Sequence, residues 1–271
     1  MAFSSGTFVI LPVMEPKKLL ERLRGSVRDI IADSKEVAVA WSGGLDSSVV
    51  EALARETTEV TCYICAVRGA HDWNLIQDLK RAGRKDTEVL EISHAEILRL
   101  IPRVADILDS VKPVEIAYTI PIIHVLGEAK ERLILAGSGA DELFGGYAKY
   151  ASADDPREAM RGDLDKMLKE AEKLHKAARS MDKRLGFPFV AEDVVELASA
   201  LPTRDMLGPG GRKLVLREVA VLLGLDAHDR PKKAAQYSSG IMREMERLAR
   251  KEGMSMSEWT KKTVRAKRAT D

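Results

Sequence analysis

The 271-residue chain has two cysteines, Cys62 and Cys65, and a single asparagine, Asn74. Both cysteines lie in Val60-Thr61-Cys62-Tyr63-Ile64-Cys65-Ala66-Val67, where strand geometry points positions three apart to opposite faces. No second Cys or His pair follows at ligand spacing. This argues against a metal or redox centre and for two buried core thiols. The low amide content is compatible with a hot-growing source. No run approaches the ~20 apolar residues of a membrane span. The early stretch Phe8–Met14 is too short and has no basic residues before it. A cytoplasmic protein with no membrane partner is expected. Charge of one sign is also missing: 43 Lys+Arg against 42 Asp+Glu leave +1. That balance argues against a polyanionic partner, and no dedicated nucleic-acid binder is expected. The chain has no internal repeat, no Gly-x-x-x-x-Gly-Lys-Ser/Thr and no Gly-x-Gly-x-x-Gly.

What the chain does have is Glu36-Val37-Ala38-Val39-Ala40-Trp41-Ser42-Gly43-Gly44-Leu45-Asp46-Ser47-Ser48, an apolar strand-length run that breaks into a Ser-Gly-Gly turn and resumes with helical spacing. Glycines let backbone approach a ligand, and a strand-to-helix turn aims N–H groups and the positive helix end at one point. Hydroxyls of Ser42, Ser47 and Ser48 add donors, and Asp46 offers a carboxylate for Mg²⁺. The stretch reads as a phosphate site.

Around it the pattern is α/β. Glu15–Ser34 is an amphipathic helix with Leu19, Leu20, Leu23, Val27, Ile30 and Ile31 inward, and Pro16 suits its first turn. Helix Ser47–Glu56 and buried strand Glu59–Val67 complete a parallel β-α-β unit. Helix Ala70–Ala82 and strand Glu88–Ile92 follow. Ser93 with Glu96 forms a capping box for a helix through about Ala105. Next come a helix over Val114–Arg132, kinked or divided at Pro121, and strand Leu133–Ala136. From Ala151 the strand pattern stops, leaving helical segments at Pro156–Arg184, Ala191–Ala200, Gly211–Leu223 and Ser239–Lys251. The expected division is an α/β domain over residues 1–150 and a helical portion over 151–271. Gly208-Pro209-Gly210-Gly211 reads as a flexible loop, with a lid or phosphate contact as the alternative. The basic tail Lys261–Arg268 reads as a frayed, solvated terminus.

The strand Leu133–Ala136 ends in a second glycine-rich turn, Gly137-Ser138-Gly139-Ala140-Asp141-Glu142-Leu143-Phe144-Gly145-Gly146-Tyr147. Ligands of open parallel sheets collect at the carboxyl ends of strands, so Asp46 and Asp141 are expected to face one another across a nucleotide and share Mg²⁺. The five histidines, His71, His94, His124, His175 and His228, show no ligand spacing.

Ser42-Gly43-Gly44-Leu45-Asp46-Ser47 resembles the pyrophosphate loop of the ATP pyrophosphatases. Gly137–Tyr147 is similar to the second signature of class B asparagine synthetases in their synthetase domain, and the likeness runs in order from about Val37 to Gly240. The resemblance implies a pyrophosphate-loop core of the adenine nucleotide alpha hydrolase type with a helical C-terminal portion. It implies ATP and Mg²⁺, a carboxylate acceptor that attacks the α-phosphorus, release of pyrophosphate, and ammonia that displaces AMP. Ser42, Gly43, Gly44, Asp46, Ser47, Ser48, Gly137 and Gly139 would hold ATP, with Asp46 and Asp141 on the metal. Arg230-Pro231-Lys232-Lys233 is similar to the family's Arg-x-Lys segment. Lys232, or else Lys233, would neutralise charge at the α-phosphate beside Arg230. Lys213 and Arg217, four apart, resemble the family's Lys-x-x-Leu-Arg; a second anionic contact and an ordinary exposed helix face both remain open.

Two departures stand out. Family members begin with a glutaminase domain whose nucleophile is an N-terminal cysteine; here Ala2 follows Met1, and about three dozen residues precede the first strand. Free ammonia or a separate glutaminase subunit is therefore the expected nitrogen source, and a homo-oligomer is compatible. In Met181–Val190, which aligns with the family's Gly-Leu-Glu-x-Arg-x-Pro-Phe-Leu-Asp, Arg184 replaces the glutamate and Gly186 the arginine. That glutamate belongs to the acceptor side, so the change bears on whether aspartate is the acceptor. The same ATP chemistry on a tRNA base, a cofactor carboxylate or a cyclising substrate remains open, as does a non-catalytic ATP- or AMP-binding regulatory module.

Overall fold

A computed structural model describes residues 14–81, 85–226 and 238–268. Helix α1 (Met14–Ile31) leads into β1 (Glu36–Ala40), α2 (Leu45–Arg55), β2 (Glu59–Ala66), α3 (His71–Arg81) and β3 (Thr87–Glu91). Helices α4 (His94–Leu108) and α5 (Pro113–Glu128) precede β4 (Leu133–Ala136) and the four-residue α6 (Ala140–Leu143). There follow α7 (Pro156–Ser180), β5 (Arg184–Gly186), α8 (Glu192–Ala200), the strand pair β6 (Leu207–Gly208) and β7 (Gly211–Arg212), α9 (Leu214–Leu222), α10 (Ile241–Lys251) and α11 (Met256–Arg268).

Five strands form a parallel sheet in the order β3-β2-β1-β4-β5, with registers such as Val39↔Cys62 and Val39↔Leu135. The order reverses between β1 and β4, and that crevice is where an open α/β sheet takes its ligand. Both glycine-rich turns leave the sheet there. Alternation in β1 sends Val37 and Val39 into one core layer and Ala38 into the other. The first layer gathers Leu19, Leu23 and Val27 of α1, Val49 and Leu53 of α2, and Leu216 and Val219 of α9. Each such fully buried aliphatic side chain stabilises the fold by about 1.5–3 kcal/mol. The second layer gathers Ile97 and Ile101 of α4, Ile116 and Ile120 of α5, Met245 of α10 and Trp259 of α11. Cys62 faces the first layer and Cys65 the second, both as buried thiols.

The α4 capping box forms as the sequence indicates: Ser93 Oγ accepts from Glu96 N, and Glu96 returns the contact to Ser93 N at 2.7 Å. Pro121 sits inside a single α5, with Pro113 at its start.

Three expectations need correction. Strands do not stop at residue 150, because β5 pairs with β4 and closes the sheet edge. Its three residues are too few to display an alternating pattern. The Gly208–Gly211 cluster is the turn of a tight antiparallel hairpin between β6 and β7. The basic tail is helical as far as residue 268: Trp259, Thr260 and Val264 are buried beneath the exposed Lys261, Lys262 and Arg265. Among the described residues no helix is long and apolar enough to cross a membrane.

Candidate active site

The first turn is built on itself. Gly43 has a left-handed φ of +69°, and Gly44 caps α2 without a side-chain acceptor, which leaves the first-turn N–H groups of α2 aimed past the end of β1. Ser42 N donates to Ser47 Oγ at 3.1 Å, the two hydroxyl oxygens lie 3.2 Å apart, and Gly44 N donates to Ser42 Oγ at 3.4 Å. Ser42 is half-buried, while Ser47 and Ser48 are both buried. Ser48 Oγ accepts from the indole N–H of the buried Trp41 at 3.2 Å.

Gly137 brings the second turn against the first. A Cβ there would stand 2.9 Å from Asp46 Cβ and 3.0 Å from Ser47 N, so only glycine allows this approach. Gly139, at φ +94°, fits under Val190, where a Cβ would fall 2.5 Å from Val190 Cγ1. Gly137 serves the packing of the two turns, and Gly139 the packing of the second turn against Val190.

Asp46, in the first turn of α2, and Asp141, in α6, converge on one point. That point holds the ammonium of Lys213, 2.6 Å from Asp46 Oδ1 and 2.5 Å from Asp141 Oδ1. Burial pulls the Lys213 pKa down, but Asp141 and Asp46 outweigh it, so the group stays charged with its pKa raised. Lys213 is neither solvated nor on a helix face: it precedes α9 in a left-handed conformation at φ +58°. Arg217 N donates to Lys213 O at 2.9 Å and its Nε to Arg212 O at 2.9 Å, while Arg212 Nη1 donates to Gly146 O at 2.8 Å.

Two further residues belong to the site and were not singled out as site residues from sequence. Gly146 makes room for the bridge, since a Cβ there would stand 1.8 Å from Asp141 Oδ1 and 2.3 Å from Lys213 Cε. Glu142 is buried beside Asp141 and accepts from Tyr147 Oη at 2.6 Å; burial pushes its carboxyl pKa up. The Asp-Glu pair and closing Tyr of the turn were the only signal for it. Arg230, Lys232 and Lys233 lie outside the described residues. No group of three or more His, Cys, Asp or Glu suited to a metal occurs among those described. The Asp46–Asp141 pair nonetheless fits Mg²⁺, which commonly takes one or two protein carboxylates and fills its octahedron with phosphate and water oxygens. The ammonium between the two oxygens stands in for a cation.

Residues 18–187 match the sequence model of the asparagine synthase family. The chain belongs to that family. Among its relatives is a protein of Methanocaldococcus jannaschii assigned as asparagine synthetase (glutamine-hydrolyzing) 1, 31% identical over 89% of this chain and 53% of its own. Asparagine synthetase B (glutamine-hydrolyzing) of Escherichia coli is 21% identical over 76% of this chain and 42% of its own. Asparagine synthetase domain-containing protein 1 of Gallus gallus is 35% identical over 41% of this chain and 19% of its own. The chain thus spans about half the length, or less, of these curated relatives.

The asparagine synthase match includes β5, the strand that carries Arg184 and Gly186. In register with Leu133, Arg184 opens β5 at the amino edge of the sheet, opposite the two turns. Its guanidinium donates to Ile30 O at 3.0 Å, at the end of α1. Gly186 is packed just as tightly: a Cβ would stand 2.5 Å from Ile30 Cγ2 and 2.8 Å from Leu135 Cδ2. These departures therefore fall at the contact between α1 and the sheet.

Proposed function

We propose that the chain is an ATP-dependent, AMP-forming ligase that adenylates a carboxylate and passes it to ammonia, with aspartate as the first acceptor to test. The observation that carries this reading is the convergence of Asp46 and Asp141, 95 positions apart in sequence, on one cation at the β1/β4 switch point. Attack on the α-phosphorus needs the departing pyrophosphate to be neutralised by donors already in place. Ser42, Gly43, Gly44 and Ser47 supply hydroxyl and backbone N–H donors at the first turn. Asp46 and Asp141 would hold Mg²⁺, which when bound would offset charge on the phosphates. Lys213 supplies a buried positive charge, and Lys232 or Lys233, with Arg230, are proposed to meet the α-phosphate. The family membership and the names of the relatives support amide formation.

The test is pyrophosphate release from ATP and Mg²⁺ with ammonia across a panel of carboxylates that starts with aspartate. AMP and pyrophosphate should appear in equal amounts only with the correct acceptor, and Asp46→Ala or Asp141→Ala should abolish them. Tight ATP binding with no pyrophosphate from any carboxylate would refute the ligase reading.

A further inference from the structure

The point where a divalent cation would be held is already taken by a group of the protein. The Lys213 side chain is 4% exposed, against 25% for Asp46 and 21% for Asp141, so the lysine fills the inner end of the site and the carboxylates border the crevice. Three features keep it there. The left-handed backbone at Lys213 is unusual for a residue with a Cβ and persists only where the surroundings enforce it. The missing side chain of Gly146 is what clears a path for Cε. Arg212 ties the segment before α9 to the Gly146 carbonyl, and Arg217 ties Arg212 in turn.

A metal coordinated by the same two Oδ1 atoms would overlap the ammonium position, because carboxylate–Mg²⁺ contacts are even shorter than these hydrogen bonds. Two carboxylates and one ammonium leave a single negative charge, which draws a hydrated divalent ion weakly past a buried cation. Nucleotide phosphates would change that balance by adding oxygens for the metal and negative charge for the lysine.

Resting on the ATP-site reading above, we infer that Lys213 and the divalent cation are alternative occupants of the Asp46–Asp141 pair, so that the lysine keeps metal out until nucleotide phosphates arrive and then turns toward them. Metal loading is thereby made conditional on nucleotide, by displacement of a resident side chain.

Mn²⁺ serves as the probe, with the free ion followed by electron paramagnetic resonance on the full chain. For the unmodified protein, Mn²⁺ affinity should be at least ~tenfold weaker without nucleotide than with a non-hydrolysable ATP analogue. Lys213→Met should raise the nucleotide-free affinity at least ~tenfold, Lys213→Arg should not, and adding Asp46→Asn to Lys213→Met should remove the gain. Equal Mn²⁺ affinity with and without analogue in the unmodified protein would overturn the inference. So would a folded Lys213→Met that binds Mn²⁺ no better than its parent. The unmodified comparison decides if Lys213→Met fails to fold. Calorimetric ATP binding separates the two ideas: no nucleotide binding counts against the ligase reading, whereas nucleotide binding without the Lys213→Met gain counts against the displaced lysine alone.

Discussion

Gly146→Ala puts the Asp46–Lys213–Asp141 bridge to a direct test. The new Cβ would stand 1.8 Å from Asp141 Oδ1 and 2.3 Å from Lys213 Cε, both far ends of side chains, so the backbone can stay while the bridge must open. Gly146 is not among the glycines with positive φ, so alanine brings no conformational penalty of its own. Breaking a fully buried ion pair costs about 3–5 kcal/mol. Here the carboxylates are 25% and 21% exposed and water can reach them, which lowers the expected loss to about 2–3 kcal/mol. For a chain of this size that is a fall in Tm of about 5–10 °C. Gly162→Ala provides the opposite sign. It lies within α7 with nothing among the described residues within 4 Å of the added methyl, and should stabilise by up to about 1 kcal/mol through helix propensity. Calorimetry and urea unfolding of both variants measure the pair. A Gly146→Ala protein within about 0.5 kcal/mol of its parent would refute the bridge as drawn.

Trp259→Ala should cost about 3–5 kcal/mol in urea unfolding, because the ring is 1% exposed and its N–H donates to Glu252; a loss under about 1 kcal/mol would mean that α11 is not docked. Arg184→Ala should leave ATP affinity unchanged while removing about 1 kcal/mol of stability at the end of α1, and weaker nucleotide binding by this variant would contradict its place at the far sheet edge. His124 is buried, its Nδ1 has no partner among the described residues, and burial lowers its pKa. The unfolded state therefore binds the proton first, so stability is full above the unfolded value near 6.5 and declines as pH falls below it. His124→Met should flatten part of that decline, with His175, also lowered by burial, supplying the rest; an unchanged stability profile between pH 7 and pH 5 would exclude the role.

Much of the fold was legible because local and long-range signals agree. The Ser93–Glu96 box, the α1 stripe and the strand-turn-helix at Ser42 each occupy one contiguous stretch. Asp46 and Asp141 could be brought near one another because each follows a buried parallel strand, and topology fixes the edge. Lys213 could not be placed in the same way. Its partner Asp46 is 167 positions away, and its orientation depends on a left-handed backbone that no residue type announces. Gly146 read as one glycine among four in its turn, and its particular task depends on that lysine. Arg184 shows the converse difficulty: matching a motif assigns a residue to a segment, while β5 register decides which edge of the sheet it occupies.

The opposed orientations of Cys62 and Cys65 give the protein a built-in pair of reporters. Cys62 has no exposed surface and lies near Arg55, whereas Cys65 donates to the Pro121 carbonyl at 3.4 Å, and burial pushes its thiol pKa up. Neither can meet an alkylating reagent unless its own side of the sheet opens. Single-cysteine variants followed by timed alkylation would therefore read the opening of the α1–α2–α9 layer and the α4–α5–α10 layer separately. The ratio of the two rates would tell whether the molecule breathes as one body or as two leaves hinged on a common sheet.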